Sequence, residues 1–151
     1  MDRMRLFEKY ISEKHETTIA HEHYLDTMRE YSPGTDLYMR EMHFMMELEP
    51  DCDLSVSEVS EKMNVTVGAT SQMATKLEKK GLITRTPDPS DKRRTMISLT
   101  EDGKKMYYEH KEYDKKKIQI IGRFFNDYSN EELEKVIESE RLFRQALIAK
   151  E

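Results

Sequence analysis

The chain has one cysteine, five glycines and four prolines in 151 residues, and no tryptophan. A single cysteine excludes an intrachain disulfide. Cys52 stands between Asp51 and Asp53, whose charges disfavour a thiolate, and the chain holds no resolving thiol, so it reads as an incidental loop cysteine rather than a redox sensor. The scarcity of helix breakers leaves long stretches uninterrupted, the first ending only at Ser32-Pro33-Gly34. There is no Gly-rich phosphate loop, no zinc-protease pair of histidines on one helical turn and no credible nucleophile–base pairing, which argues against an enzyme. No apolar run approaches bilayer-spanning length, and Met1-Asp2-Arg3-Met4-Arg5 lacks a signal-peptide core. The expectation is a cytoplasmic protein that does not engage a membrane.

Apolar residues make up 36% of the chain and charged residues another 36%, a polar balance for a single domain of this size. It suits long helices whose apolar stripes are covered by a second copy. The net charge of −5 conceals an asymmetry. Between Lys62 and Lys105 ten Lys/Arg face five acids, a local +5 that leaves −10 on the remainder. Phosphate contact depends on local rather than total charge, so this is the pattern of a DNA-facing lobe on an acidic body.

The pattern predicts a helix from Met4 to Tyr31, with Leu6, Tyr10 and Ile11 at helical spacing. Thr35-Asp36 is expected to cap the next helix, which carries Met39, Met42, Met45 and Met46 and ends near Glu49-Pro50-Asp51. Ser55 with Glu58 three residues on is a capping box opening a short helix through Met63. Asn64-Val65-Thr66 makes a turn, and Thr66 caps a helix from Val67 to Lys80 with Thr70, Met73, Ala74 and Leu77 inward. Gly81 stops it. Leu82–Thr86 and Thr95–Leu99 read as hairpin strands around the tip Asp88-Pro89-Ser90-Asp91-Lys92-Arg93-Arg94. Thr100 caps a long helix expected to reach Tyr128, and a capping box from Ser129 to Glu132 starts the last one, striped by Leu133, Val136, Ile137, Leu142, Phe143, Ala146 and Leu147.

A helix pair followed at once by a basic hairpin is a DNA-docking unit, one helix entering the major groove while the cationic tip reaches the flanking backbone. The residues Leu77-Glu78-Lys79-Lys80-Gly81-Leu82-Ile83-Thr84-Arg85, then Asp91-Lys92-Arg93-Arg94, then Leu99-Thr100-Glu101-Asp102-Gly103 resemble the MarR family of winged helix-turn-helix regulators. The family's wing pattern of Asp, one residue, Arg, then a strand closing in Leu-Thr with a Gly shortly after fits Asp91, Arg93, Leu99, Thr100 and Gly103. The resemblance covers essentially the whole chain. It implies a mainly α fold with a small β-hairpin wing: one MarR-like domain over 1–151, with dimerisation helices in 1–34 and 104–151 and a DNA-binding lobe in 35–103. It also implies a homodimer on a pseudo-palindromic operator in double-stranded DNA, most often as a repressor.

In such a lobe Thr66 and Val67 lie at the recognition-helix N-terminus, where backbone amides favour phosphate, and Gly68 permits close backbone approach. Ser71, Gln72 and Thr75 are the outward groups able to reach base edges, and Val67 suits a thymine methyl. Lys76 and Lys79 suit phosphates. Lys92 belongs to the cationic tip, and Arg93 or Arg94 would enter the minor groove. By resemblance, Asp91 orients the wing arginine through an ion pair. A winged-helix module working only through protein contacts is the alternative, but it would be expected to lose Lys76, Lys79 and the basic tip, all present here.

The modulating signal has two readings. Zinc-sensing relatives take ligands from matching helices, and Glu22 or His23, His43, His110 and Asp114 would form the corresponding set; Met42 stands where those sensors have Glu and Asp114 where they have His. Alternatively, Met39, Met42, Met45 and Met46 with Phe44 offer an adaptable apolar surface for a small ligand. Glu41-Met42-His43 and Val65-Thr66-Val67-Gly68 also resemble stretches of regulators of bacterial fatty-acid synthesis that answer to acylated carrier protein.

Overall fold

The computed structural model describes residues 2–32 and 34–149. Helix α1 (Arg3–Leu25) is capped by Asp2 and is followed by a β-hairpin, β1 (Met28–Ser32) and β2 (Thr35–Tyr38). Helix α2 (Met39–Met46), the two-residue strand β3 (Leu54–Ser55), α3 (Val56–Met63) and α4 (Val67–Lys79) come next. Strands β4 (Ile83–Pro87) and β5 (Thr95–Leu99) precede α5 (Glu101–Gly122), a 3₁₀ turn at Arg123–Phe125 and α6 (Asn130–Ile148). The chain falls into two compact units, one ending at His110 and the other beginning at Lys111.

Three expectations are corrected. The first helix ends at Leu25 rather than Tyr31: its last turn tightens to i→i−3 bonds, from the Asp26 N–H to the His23 carbonyl and from the Thr27 N–H to the Tyr24 carbonyl, and the chain then turns into β1. Thr35-Asp36 caps nothing. Both residues lie in β2, paired antiparallel with Ser32 and Glu30, and α2 starts at Met39, where the Glu41 carboxylate accepts the Tyr38 N–H at 3.0 Å. The long helix stops at Gly122 instead of Tyr128, giving way to the tighter 3₁₀ turn.

The capping boxes stand as the sequence implies. Ser55 and Glu58 exchange bonds at the start of α3, as do Ser129 and Glu132 at the start of α6. Asn64 closes α3 in the left-handed region at φ 52°. The three-stranded wing sheet has the order β3-β5-β4, all antiparallel. Its inner side shares one core with the helices, built on Leu37, Met42, Phe44, Met45, Leu48, Val59, Ala74, Leu77, Ile83 and Ile97. Burying these side chains is what holds α2, α3, α4 and the wing together.

Candidate nucleic-acid interface

Helix α4 opens on Thr66, whose hydroxyl accepts the Ala69 N–H at 3.2 Å and so satisfies one of the helix's orphan donors. Thr70, Ala74 and Leu77 point into the core, with Met73 half-buried beside them. Val67, Gly68, Gln72, Lys76 and Lys79 lie toward solvent, while Ser71 and Thr75 are more enclosed. The Thr75 hydroxyl donates to the Ser71 carbonyl at 2.9 Å, so its proton is already engaged along the helix. Gly68 has ordinary helical φ, and a Cβ placed there would come no nearer than 4.0 Å to any neighbour, Thr66 Oγ1. Nothing within the chain requires glycine at that position.

The helix ends in a Schellman turn. The Gly81 N–H donates to the Glu78 carbonyl at 2.9 Å and the Leu82 N–H to the Leu77 carbonyl at 3.0 Å, with Gly81 at φ 73°. Lys80 turns away from the exposed side chains of α4. Its Nζ reaches the buried Glu41 carboxylate at 2.7 Å and the Asp36 carbonyl at 2.9 Å, tying the end of α4 to α2. Arg85 of β4 pairs with Glu78 of α4, and that pairing holds the Glu78 carboxyl below its ordinary range. Beyond a last-turn charge suited to the helix dipole for Lys80, the sequence pattern alone does not reveal these pairings, because the partners of Lys80, Glu78 and Arg85 lie on other elements.

Leu82 is also where α5 is fastened. The Thr100 N–H donates to the Leu82 carbonyl at 3.0 Å, and the Thr100 hydroxyl donates to the Gly81 carbonyl at 2.7 Å while accepting the Gly103 N–H at 3.0 Å. A Cβ at Gly103 would sit 2.0 Å from the Leu82 carbonyl oxygen, so only glycine fits.

The wing tip is organised by two carboxylates. Asp88, itself buried, accepts the Ser90 N–H at 2.7 Å, the Ser90 hydroxyl at 2.6 Å and the Asp91 N–H at 3.4 Å. Asp91 accepts both Nε and Nη2 of Arg93, at 3.1 and 3.2 Å, and the Arg93 N–H at 3.1 Å. These bonds hold the Asp88 and Asp91 carboxyls below the usual carboxylate range: those from Ser90 dominate for Asp88 and those from Arg93 for Asp91. The Arg93 side chain is nonetheless 91% exposed. Arg94, 47% exposed, turns back instead toward Glu58 and Asp88, at 3.4 and 3.6 Å. Lys92 is exposed.

Of the methionines proposed for a ligand, Met39, Met42 and Met45 are buried in the core and Met46 packs against it. A separate groove of about 340 Å³ is lined instead by His21, Arg40, His43, Phe44, Met63 and Met73, among others. Of the metal candidates, the rings of His43 and His110 stand 6.1 Å apart and the buried His110 Nδ1 shares a 2.8 Å hydrogen bond with the Tyr31 hydroxyl. Glu22 pairs with Arg40 at 3.4 Å, His23 lies exposed on α1, and Asp114 belongs to the second unit. Among the described residues, no three His, Cys, Asp or Glu side chains gather as a metal site.

A helix–turn–helix with a three-stranded wing defines a winged helix-turn-helix protein. The sequence profile of the MarR family matches residues 37–95. YhjH of Bacillus subtilis (strain 168), an uncharacterised HTH-type transcriptional regulator, is 34% identical over 115 residues, covering 76% of this chain. The chain spans less than two thirds of that relative, 64% of its length. An uncharacterised HTH-type transcriptional regulator of Bacillus anthracis is 32% identical over 108 residues, 72% of this chain and 69% of that one. The crystal structure of FabT from Streptococcus pneumoniae in complex with DNA has a TM-score of 0.69 at 25% identity and covers 97% of both chains. The chain belongs to the MarR family, and the two relatives named above are HTH-type transcriptional regulators, not enzymes. Among the described residues, no helix is long and apolar enough to cross a membrane.

Proposed function

We propose that the protein regulates transcription, most simply as a repressor in the cytoplasm, by binding a pseudo-palindromic operator as a homodimer. In each subunit α4 enters the major groove and the wing reaches the flanking minor groove. The observation that carries this reading is Arg93: a guanidinium preset by two bonds to Asp91 yet almost wholly exposed, in the same unit as the exposed polar face of α4. A preset cation loses little freedom on meeting phosphate or a narrow groove. Gln72 is the group for base edges, with Ser71 and Thr75 beside it. Lys76, Lys79 and Lys92 serve phosphates, and Thr66, Val67 and Gly68 offer a helix N-terminus to the backbone. FabT was crystallised on DNA, which supports the same use here. The dimer is supported by α1 and α6, neither of which buries a residue although they carry Leu6, Phe7, Ile11, Leu142 and Leu147.

Arg93→Ala is expected to weaken binding about tenfold and to lower the slope of log affinity against log salt by about one. Fluorescence anisotropy on a labelled duplex at several salt concentrations measures both. Unchanged affinity and slope would remove Arg93 from the interface.

A small ligand modulating this binding is favoured by the groove at Arg40, His43 and Phe44, which sets a cation and an imidazole over an apolar floor. The acyl-ligand form of this reading uses the same floor. The zinc form rests on the nearness of His43 and His110, and metal analysis of the purified protein decides it.

A further inference from the structure

The wing's backbone connection to the helix pair is short. On the side facing α3, the ladder pairs Leu54 with Ile97 and Ser55 with Met96, and there it stops. It cannot continue, because Ser55 is already the N-cap of α3 and the next residue is helical. The other side of β5 runs one pair further, to Pro87 and Thr95. Beyond that the tip is closed on itself: the Asp88 N–H donates to the Arg94 carbonyl at 3.0 Å and the Arg94 N–H to the Asp91 carbonyl at 2.8 Å. A short ribbon of this kind twists and flexes unless side chains fix it.

Where the β3–β5 ladder ends, a side chain carries the connection on to α3. The Arg94 guanidinium lies between two carboxylates from different elements, Glu58 of α3 at 3.4 Å and Asp88 of the wing turn at 3.6 Å. Both carboxylates are anchored before Arg94 arrives. Glu58 accepts the Ser55 N–H at 2.8 Å and the Ser55 hydroxyl at 2.5 Å. Asp88 is held by Ser90 and the Asp91 N–H. The capping box of α3 therefore has a second use, as a fixed post for the wing. An ion pair this exposed adds little to stability, so its effect lies in geometry.

We infer that Arg94 and Glu58 are a positioning pair that braces the wing tip against the first turn of α3, setting the pitch at which Arg93 is presented, and that Arg94 itself is not a phosphate contact. The inference rests on the DNA-binding reading and gives the wing's two arginines different roles. Arg93 reaches outward, and Arg94 holds it in place. Moving the tip by about an ångström would spoil the match between wing and recognition helix without removing any DNA-contacting group.

Two measurements test it. The first uses the full chain and a fluorescein-labelled duplex that the wild-type protein itself enriches from a randomised library. Glu58→Gln keeps an oxygen for the Ser55 N–H and removes the charge facing Arg94; Arg94→Gln removes the other half. Each is expected to weaken binding about five- to tenfold with the salt slope unchanged, and the double variant is expected to bind no worse than either single one, since both cut the same link. Arg93→Ala, by contrast, lowers the slope by about one. The second needs no DNA. Spin labels on Cys52 and on Lys92→Cys, in labelled chains diluted with unlabelled ones, report the distance from the loop before β3 to the tip. The distribution is expected to broaden in Glu58→Gln and in Arg94→Gln, with helix content by circular dichroism unchanged. A lower salt slope in Arg94→Gln, additive losses in the double variant, or a distribution of wild-type width in both variants overturns the brace and leaves the regulatory reading standing. A wild-type chain that enriches no duplex overturns the regulatory reading, and the brace's purpose with it.

Discussion

Two glycines in this lobe look alike in the sequence and are opposite in the structure. Gly103 lies where a Cβ would meet the Leu82 carbonyl oxygen at 2.0 Å, and Gly68 lies where a Cβ would meet nothing closer than 4.0 Å. Gly103→Ala must push the first turn of α5 off the end of α4 and is expected to destabilise the fold by about 2–4 kcal/mol, read as a lowered midpoint in thermal or urea melts. Gly68→Ala removes a poor helix former from an exposed site and should raise stability by up to about 1 kcal/mol in the same melts. If α4 meets DNA at its N-terminus, the same substitution weakens binding several-fold. A stabilised variant that also binds as well as wild type would place the DNA away from Gly68. The Leu-Thr and Gly pattern around Gly103 was legible as a motif, but its cause was not, since it depends on a carbonyl 21 residues earlier in the chain.

At the scale of elements, legibility follows the range of the deciding interaction. The starts of α3, α4 and α6 were readable because an N-cap answers within three residues, as Ser55 does with Glu58, Thr66 with Ala69 and Ser129 with Glu132. The β1–β2 hairpin was not. Met28-Arg29-Glu30-Tyr31 has no clean alternation and continues a helical-looking run, and only pairing with Thr35–Tyr38 makes it a strand. Strand β3 is two residues long and is defined wholly by Met96 and Ile97. Which side chains of α4 face solvent was legible from helical periodicity, and so was the local Asp91–Arg93 pair, whereas the turn of Arg94 toward Glu58 depends on a carboxylate 36 residues away that folding brings near. The wing's acid chemistry belongs to this scale too. Glu58, Asp88 and Asp91 all titrate below their ordinary values in the fold, mainly through bonds from Ser55, Ser90 and Arg93 respectively. A carboxyl with a lowered folded value favours the folded state while ionised. Its contribution is complete above the ordinary range and is lost as pH falls through the lower folded value. Wing order is therefore expected to persist from about pH 7 to about 5 and to weaken progressively as pH falls below about 4 toward the lowered folded values, and Glu58→Gln should flatten that decline. The amide signals of Ser90, Asp91 and Arg93 in an NMR pH titration measure it.

For the molecule as a whole, the decisive matter is surface. Ile118, Ile120, Ile121 and Phe124 are exposed around the end of α5, as are Ile137, Leu142, Leu147 and Ile148 on α6. A monomer seldom leaves so much apolar area uncovered. Multi-angle light scattering is expected to give about twice the 18.0 kDa chain mass for the wild type. Leu142→Glu with Leu147→Glu should halve that value and abolish operator binding together, because a single lobe loses the second half-site. A wild-type mass equal to one chain would remove the dimer from the proposal.

The junction at Leu82 and Thr100 bears on how any signal could travel. The end of α4, the base of the wing and the opening turn of α5 meet at one point, where Thr100 donates two hydrogen bonds, to the Leu82 and Gly81 carbonyls, and Gly103 has no room to spare. A twist applied to that opening turn is therefore expected to carry the end of α4 and the base of the wing with it. In the proposed dimer, an inducer would then widen or narrow the gap between the two lobes more than it would reshape either one.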